Sequence, residues 1–285
     1  MYIYMNGQVI PKEEAKISPF DHGFLYGLGV FETFRTYDGH PFLLDDHLDR
    51  LQKGLQQLQI ELSIQRTDVA QMLKELYEKN GWKNAYCRLN VSAGNGEIGL
   101  QVSPYTCPNV ILFQKPLPPI GASSEKSIQF LQLRRNTPET NERLKSHHYL
   151  NNVAAKREIG EQASVEGVFL TEQGWVAEGI VSNVFWVKDD IVYTPAIETG
   201  ILNGVTRQLV LRILRKAAID VVEGLFTKEA LLDADEIFLT NSIQEVVPVH
   251  RCEDRDLPGR TGKITLFLSN EYRKYTHFLW SQREL

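Results

Sequence analysis

The sequence predicts a two-domain protein of mixed α+β or α/β class, and three observations carry that expectation. Its 285 residues suit one large or two medium domains and can bury a sizeable core. Strand-like and helix-like stretches are interleaved along the chain, as in two-layer α and β architectures. Between them lies one stretch, Lys115–Lys126 (KPLPPIGASSEK), whose three prolines, glycine and small polar residues carry neither regular element. The reading is an N-terminal α/β domain over 1–115, a linker over 116–126 and a C-terminal domain over 127–285.

Composition narrows the function classes. Hydrophobic residues make up 42% and charged residues 24%, the balance of an ordinary globular protein. Lys+Arg 31 against Asp+Glu 36 gives a net charge of −5, so no basic surface calls for nucleic acid or anionic lipid. Met1–Gly7 has no basic region or long apolar stretch of the signal-peptide kind. No run of about 18 apolar residues predicts a membrane span. The cysteines, Cys87, Cys107 and Cys252, are odd in number, widely spaced and without a CxxC pair. That pattern argues for a reducing, cytoplasmic compartment and against a zinc or disulfide framework.

The elements follow in order. Val30–Tyr37 (VFETFRTY) is rich in β-branched and aromatic residues, and Asp38-Gly39 is a hairpin turn signal before a strand over His40–Leu44. Leu44, Leu48, Leu51, Leu55 and Leu58 recur at steps of four and three, the spacing of one apolar helix face. Asp45 and Asp46 are expected to cap that helix and to favour its dipole. A second helix is expected over Asp68–Lys79, stopping at Asn80-Gly81, with strands at Ala85–Ala93 and Asn109–Gln114. Past the linker, strands are expected near Ser127–Leu133, Val165–Thr171, Ser182–Val187, Glu236–Thr240 and Val246–Arg251. Helices are expected at His148–Gln162, Val205–Ala218 and Gly262–Phe278. A site between two such domains is the default expectation.

Several chemistries find no support. His147 and His148 are adjacent, so on a helix they point about 100° apart and chelate one ion poorly. Asp45, Asp46, His47 and Asp49 crowd a helix start, where capping accounts for the acids, and no metal site is expected. Gly23, Gly27 and Gly29 do not match G-x-G-x-x-G. No G-x-S-x-G elbow occurs, and Cys87 lies in a strand-like segment as a structural thiol.

Two regions stand out. In Asn141–Lys156, Lys145 leaves a loop that contains Pro138 and precedes a helix; it is either a solvated charge or an amine nucleophile that forms a Schiff base. Tyr149 stands at i+4, on the same face if the segment is helical. In Gly200–Arg207 a glycine-containing turn enters a helix with Thr206 in its first turn, which is either a plain loop or a phosphate cradle.

Together these segments resemble the fold-type IV pyridoxal-phosphate enzymes, the class IV aminotransferase family. The resemblance runs from about Tyr2 to Phe278. It is carried in order by Ser18–Gly29 (SPFDHGFLYGLG), Val30–Arg35 (VFETFR), His47–Leu51 (HLDRL), Lys145–Asn151 (KSHHYLN), Glu178–Phe185 (EGIVSNVF), Gly200–Arg207 (GILNGVTR) and Thr240–Val249 (TNSIQEVVPV). It implies a two-domain, D-amino-acid aminotransferase-like fold with pyridoxal 5'-phosphate as cofactor. By that resemblance Lys145 holds the cofactor as a Schiff base and then moves protons, Glu178 faces its pyridine nitrogen, and Tyr149 stands near its 3-oxygen. Arg50, Val205, Thr206, Asn241 and Ser242 fall at phosphate-binding positions. Arg35 and Arg88 align with positions that face the substrate, where each is either a carboxylate binder or a structural ion-pair partner. The family includes branched-chain aminotransferases, D-amino-acid aminotransferases and aminodeoxychorismate lyases. The wording of Ser18–Arg35, Arg134–Glu139 (RRNTPE), Arg143–Gly160 and Val168–Trp186 is most similar to the lyase branch. That branch implies elimination of pyruvate from 4-amino-4-deoxychorismate to form p-aminobenzoate for folate synthesis, with D-amino or branched-chain aminotransfer as the alternative. The resemblance also implies a homodimer, for which Tyr2, Tyr4, Phe20, Phe24, Tyr26, Phe31 and Phe34 are interface material or domain core.

Overall fold

The computed structural model describes residues 1–117 and 125–285. Most of the expected linker, 118–124, therefore lies outside the described residues, and its flanks are regular strands. In their described parts, the chain forms two compact units. The first takes Met1–Pro119, Leu144–His148 and Thr276–Glu284; the second takes Ile120–Arg143, Tyr149–Tyr275 and Leu285. The expected division placed Lys145 with the C-terminal residues, whereas its segment joins the first unit through backbone pairing described below.

The first unit is built on a six-stranded sheet with the order β2-β1-β6-β5-β3-β4. Its strands are β1 (Tyr2–Met5), β2 (Gln8–Pro11), β3 (Gly29–Tyr37), β4 (His40–Pro41), β5 (Ala85–Ser92) and β6 (Asn109–Pro116). β3 and β5 run antiparallel from Gly29↔Ser92 to Thr36↔Ala85. Side chains alternate across such a pair, so Val30 and Phe34 of β3 and Cys87, Leu89 and Val91 of β5 enter one core. Phe31, Thr33 and Arg35 fall on the opposite face with Tyr86, Arg88 and Asn90. The core is closed by α2 (Leu44–Gln57) and α3 (Arg66–Asn80), through Leu44, Leu48, Leu51 and Leu55 of the first and Val69, Met72, Leu73 and Leu76 of the second. A short α1 (His22–Tyr26) precedes β3, capped by Asp21, whose carboxylate accepts from Gly23 N and Phe24 N. β4 is limited to His40–Pro41, because the backbone turns into α2 at Leu43 with φ 56°.

The start of α2 differs from the expectation. Its N-cap is Leu43, with no side-chain cap. The Leu43 and Asp45 N–H groups instead donate to the Leu279 and Trp280 carbonyls, each at 3.1 Å. A returning C-terminal segment thus satisfies the helix donors that a cap would otherwise take. Asp45 is released to pair with Arg66. Asp46 accepts from Ser281 Oγ at 3.1 Å and Gln282 N at 2.7 Å.

The second unit holds β7 (Lys126–Phe130), β8 (Val165–Leu170), β9 (Val176–Gly179), β10 (Asn183–Lys188), β11 (Ile191–Pro195), β12 (Val221–Gly224), β13 (Glu236–Asn241), β14 (Glu245–Cys252) and β15 (Arg255–Asp256). Their order is β12-β11-β10-β13-β14-β7-β8-β9, with β15 on β14. The β14–β7, β7–β8 and β11–β12 pairs are parallel and the others antiparallel. Its helices are α4 (Leu150–Ile159), α5 (Val205–Lys216), α6 (Lys228–Leu232) and α7 (Lys263–Arg273). Val184 and Trp186 of β10 join Ile237 and Leu239 of β13 in one core, while Phe185 and Phe238 stack beside each other with centroids 5.1 Å apart. α7 is tied to the sheet by Glu236, which accepts from Ile264 N at 3.1 Å and Thr265 N at 2.9 Å. Cys87 and Cys252 are buried, as a structural thiol in a strand should be, and burial pushes both thiols above their ordinary range.

Asp46→Ala should leave the α2 periodicity intact but release the strap at Ser281–Gln282. The expected result is faster amide exchange over 279–284 and a stability loss of about 1–3 kcal/mol in chemical denaturation, the scale of two lost buried hydrogen bonds. Unchanged exchange there would remove Asp46 from that role.

Candidate active site

The first unit gathers cations on the outer face of β3 and β5. The Lys145 segment is extended rather than helical. Phe31 N donates to Lys145 O at 2.9 Å, His147 N donates to Gly29 O at 3.0 Å, and Val30 bridges Ser146. The i+4 helical relation of Lys145 to Tyr149 therefore does not hold: helix begins only at α4, for which Tyr149 is the N-cap with φ −104°. Gly29 is required here by close approach, since a Cβ at that position would collide with the His147 ring and the Val91 carbonyl.

Phe31 is the platform of this face. Lys145 Nζ stands 4.7 Å from its ring centroid, and the Arg88 guanidinium lies at 3.6 Å. Arg88 also reaches Asn90 Oδ1 through Nε at 3.4 Å and Nη2 at 3.3 Å. His147 Nε2 lies 3.0 Å from the same oxygen, which makes it the donor and Nε2 the protonated nitrogen. Burial first, and then the neighbouring Arg88 charge, pull the His147 imidazole down to about 4, so the ring is neutral at pH 7. Among the described residues no carboxylate pairs with Arg88, so the ion-pair reading of Arg88 loses its partner. Arg35 is buried, and its guanidinium stacks on Tyr37 at 5.1 Å.

On the inner side of β3, Arg50 of α2 grips Glu32 with both Nε and Nη2 at 2.7 Å, to Oε1 and Oε2 respectively. His47 Nδ1 stands 2.6 Å from Oε2. Burial alone would raise the Glu32 carboxyl, but Arg50 and His47 outweigh it and hold it at about 2.

The second unit presents a carboxylate and an open helix start. Glu178, at the end of β9, is 5% exposed. Its Oε1 accepts from Arg135 Nε at 2.9 Å and lies 2.8 Å from Arg135 Nη2, and its Oε2 accepts from Leu202 N at 3.0 Å. Arg143 Nε lies 3.7 Å from the same carboxylate. Burial, followed by the Arg135 charge, lowers Arg143 to about 10 despite the opposing pull of Glu178. Arg135 is itself anchored on α4, donating from Nη1 to Asn151 Oδ1 at 2.7 Å and Asn152 Oδ1 at 3.2 Å.

Farther along, Asn183 Nδ2 donates to Leu202 O at 2.9 Å. α5 starts at Val205 behind Gly204, an N-cap without a side chain to take the first N–H groups. A Cβ at Gly204 would collide with Asn183 Oδ1. Thr206 Oγ1 lies 3.3 Å from Ser242 Oγ, so the α5 start and the turn after β13 bring two hydroxyls together. The Asn241 side chain serves that turn, its Oδ1 accepting from Ile243 N at 3.0 Å and Gln244 N at 2.8 Å.

Residues 29–252 of this chain match the family described as amino-transferase class IV. The chain belongs to that family. This class IV chain is 47% identical over 274 residues to the aminodeoxychorismate lyase of Bacillus subtilis (strain 168), covering 95% of this chain and 94% of that protein. It is similar to the branched-chain aminotransferase of Thermoproteus uzoniensis solved with norvaline, at 27% identity and a TM-score of 0.85 over 96% of this chain and 94% of that one. It is also similar to the T.th. branched-chain amino acid aminotransferase solved with pyridoxamine 5'-phosphate, at 28% identity and a TM-score of 0.84 over 96% and 93% of the two chains. The fold is therefore fold-type IV, of the D-amino-acid aminotransferase kind, and the chain is an enzyme of a family that uses pyridoxal phosphate.

The residues present fit such a cofactor. Arg135 and Leu202 account for three of the roughly four lone-pair sites of the Glu178 carboxylate, leaving a site on Oε2 for a pyridinium N–H. A helix N-terminus with a glycine cap and two adjacent hydroxyls is a donor set for a dianion. Next to Asn241, Thr240 Oγ1 is buried without a hydrogen-bond partner among the described residues.

Four residues of these clusters carried no role in the sequence reading: Arg135, Arg143, Glu32 and His47. For Glu32 a signal existed. It shares strand parity with Val30 and Phe34, and an acid on the apolar face of a strand needs a buried cation. His47 and Arg50 sit at i and i+3, one helical step apart. Arg135 and Arg143 lie in irregular backbone, where no periodicity marks which way a side chain turns.

A depressed histidine makes stability depend on pH in a definite sense. Between its ordinary value of 6.5 and about 4, His147 binds a proton in the unfolded chain but not in the folded one, so stability falls as pH falls through that window. His147→Gln should flatten this part of the curve by up to about 1.4 kcal/mol per pH unit in denaturation measured from pH 7 to 4. An identical slope in the variant would contradict the assignment.

Proposed function

We propose that this enzyme is a pyridoxal-phosphate-dependent 4-amino-4-deoxychorismate lyase that forms p-aminobenzoate and pyruvate for folate synthesis. The observation that carries the proposal is 47% identity across nearly the full length of a relative bearing that activity's name. Pyridoxal phosphate, when bound, supplies a carbon that amines join covalently and a pyridinium that accepts an electron pair.

The chain's own residues supply the rest. Lys145 Nζ is the amine that holds the cofactor, beside the Phe31 ring. Displaced by the substrate amine, it takes the proton from the amine-bearing ring carbon. It then donates a proton to the departing enolpyruvyl group, which leaves from the adjacent carbon as the ring becomes aromatic. Glu178, oriented by its hydrogen bond from Arg135, would accept the pyridine N–H. The Tyr149 hydroxyl would serve the cofactor's 3-oxygen, as the family resemblance implies. Arg50, the Val205 and Thr206 N–H groups, and the Thr206 and Ser242 hydroxyls hold the phosphate, with Asn241 shaping its turn. Arg88, without an acidic partner among the described residues, takes a substrate carboxylate over Phe31, and Arg35 lies on the same sheet face.

We also propose a cytoplasmic homodimer. Among the described residues no helix is long and apolar enough to cross a membrane. Phe20, Phe24, Ile98 and Leu100 are exposed, which supports a covering second copy, whereas Phe31 and Phe34 are buried within the unit, Phe34 in its core and Phe31 under the cations of the opposite face.

The second reading is an aminotransferase of branched-chain or D-amino acids, favoured by the solved branched-chain enzymes that share the fold. Both reactions begin with the same proton removal, so product chemistry separates them. Purified protein given aminodeoxychorismate should release fluorescent p-aminobenzoate at an enzymatic rate. A parallel reaction with D-alanine, L-leucine and 2-oxoglutarate should form glutamate slowly or not at all. No p-aminobenzoate together with steady glutamate would replace the lyase with the aminotransferase.

A further inference from the structure

We propose that Glu32 and His47 are positioning residues for Arg50, fixing the edge of its guanidinium that meets the cofactor phosphate; this rests on the pyridoxal-phosphate reading above. Glu32 occupies the side-on edge of the guanidinium, taking Nε–H on Oε1 and Nη2–H on Oε2, both at 2.7 Å. Recognition of a dianion is thereby assigned to the end-on Nη1/Nη2 edge, which presents parallel N–H groups to phosphate oxygens. His47 fixes the other side of the carboxylate from 2.6 Å. Because Oε2 is an acceptor, Nδ1 carries the proton. Glu32 and His47 are each 1% exposed, so neither rotates into solvent.

The charges make the role testable. Burial pushes the His47 imidazole below its ordinary value, against the pull of Glu32, and a neutral ring leaves one anion beside one cation. Glu32 therefore cancels most of the long-range attraction that Arg50 offers a phosphate. A residue kept only as counter-charge would make anion binding stronger when removed. A residue kept as a clamp would make it weaker, since an unheld guanidinium loses orientation. Glu32 acts as the clamp.

The readout is the ratio of dissociation constants for pyridoxal and pyridoxal phosphate, which differ only in the group Arg50 meets. General damage to the fold moves both constants and leaves the ratio. Glu32→Gln should lower the preference for the phosphorylated form at least tenfold. His47→Ala should lower it several-fold, and His47→Asn, which keeps an N–H bonded to Cγ, should restore most of it. The double variant Glu32→Gln/Arg50→Gln should show the same ratio as Arg50→Gln alone, because Glu32 acts through Arg50. An unchanged or increased preference in Glu32→Gln overturns the proposal. If that variant does not fold, an unchanged ratio in His47→Ala overturns it equally. A native protein that binds both forms alike, or neither, would instead overturn the cofactor reading beneath it.

Discussion

A carboxylate removed from water needs donors held against it, and at Glu32 and Glu178 an arginine supplies them. Glu32 in the first unit and Glu178 in the second are 1% and 5% exposed. Each accepts two contacts from one guanidinium, Arg50 and Arg135 respectively, at 2.7 to 2.9 Å. An unpaired carboxylate at either place would take up a proton or unfold its surroundings. The pairing fixes direction as well as charge. A guanidinium gripped on one edge presents its other edge along one line, and a carboxylate gripped on one side keeps a set lone pair for the next donor. The proposed phosphate arginine and the proposed pyridinium partner are thus oriented before any cofactor arrives, which is what electrostatic preorganisation requires.

Where regular periodicity governs, the sequence is a good guide. The leucines spaced by four and three in α2 pack as expected, and the β-branched and aromatic run of β3 is a strand over Gly29–Tyr37. The α5 expectation, Val205–Ala218, matches Val205–Lys216 closely. Short strands escaped: β1, β2, β9 and β12 have four residues each, too few for an alternation to emerge. The larger misreadings come from contacts distant in sequence. Asp45 and Asp46 stand where caps belong, yet backbone carbonyls more than 200 residues later take that role. Lys145 precedes a helix in sequence, yet pairs with β3 and stays extended.

The candidate residues divide in the same way. Lys145, Glu178 and Arg50 were singled out because a run of motifs in family order marks them, and their roles stand as proposals. Arg88 was open between two roles, and the carboxylate-binding proposal draws its support from the absence of an acidic neighbour among the described residues beside a ring at 3.6 Å. No spacing along β5 could reveal that, since Phe31 lies on another strand. Arg135 was legible only as part of a motif, without its task. Its contacts to Glu178 and to α4 join residues 43 and 16 apart in sequence. Lyase and aminotransferase chemistry require the same lysine and carboxylate, so on the proposed reading the difference between the branches is sought on the face lined by Phe31, Arg35 and Arg88.

The central claim is that Lys145 is the amine that carries the cofactor. Its direct test is borohydride reduction of the holoprotein followed by peptide mass mapping. The expected result is a reduced pyridoxyl-phosphate mass on the peptide that contains Lys145, and none on any peptide of the Lys145→Ala variant. A reduced adduct on a different lysine of the native protein, or no adduct at all, would contradict it.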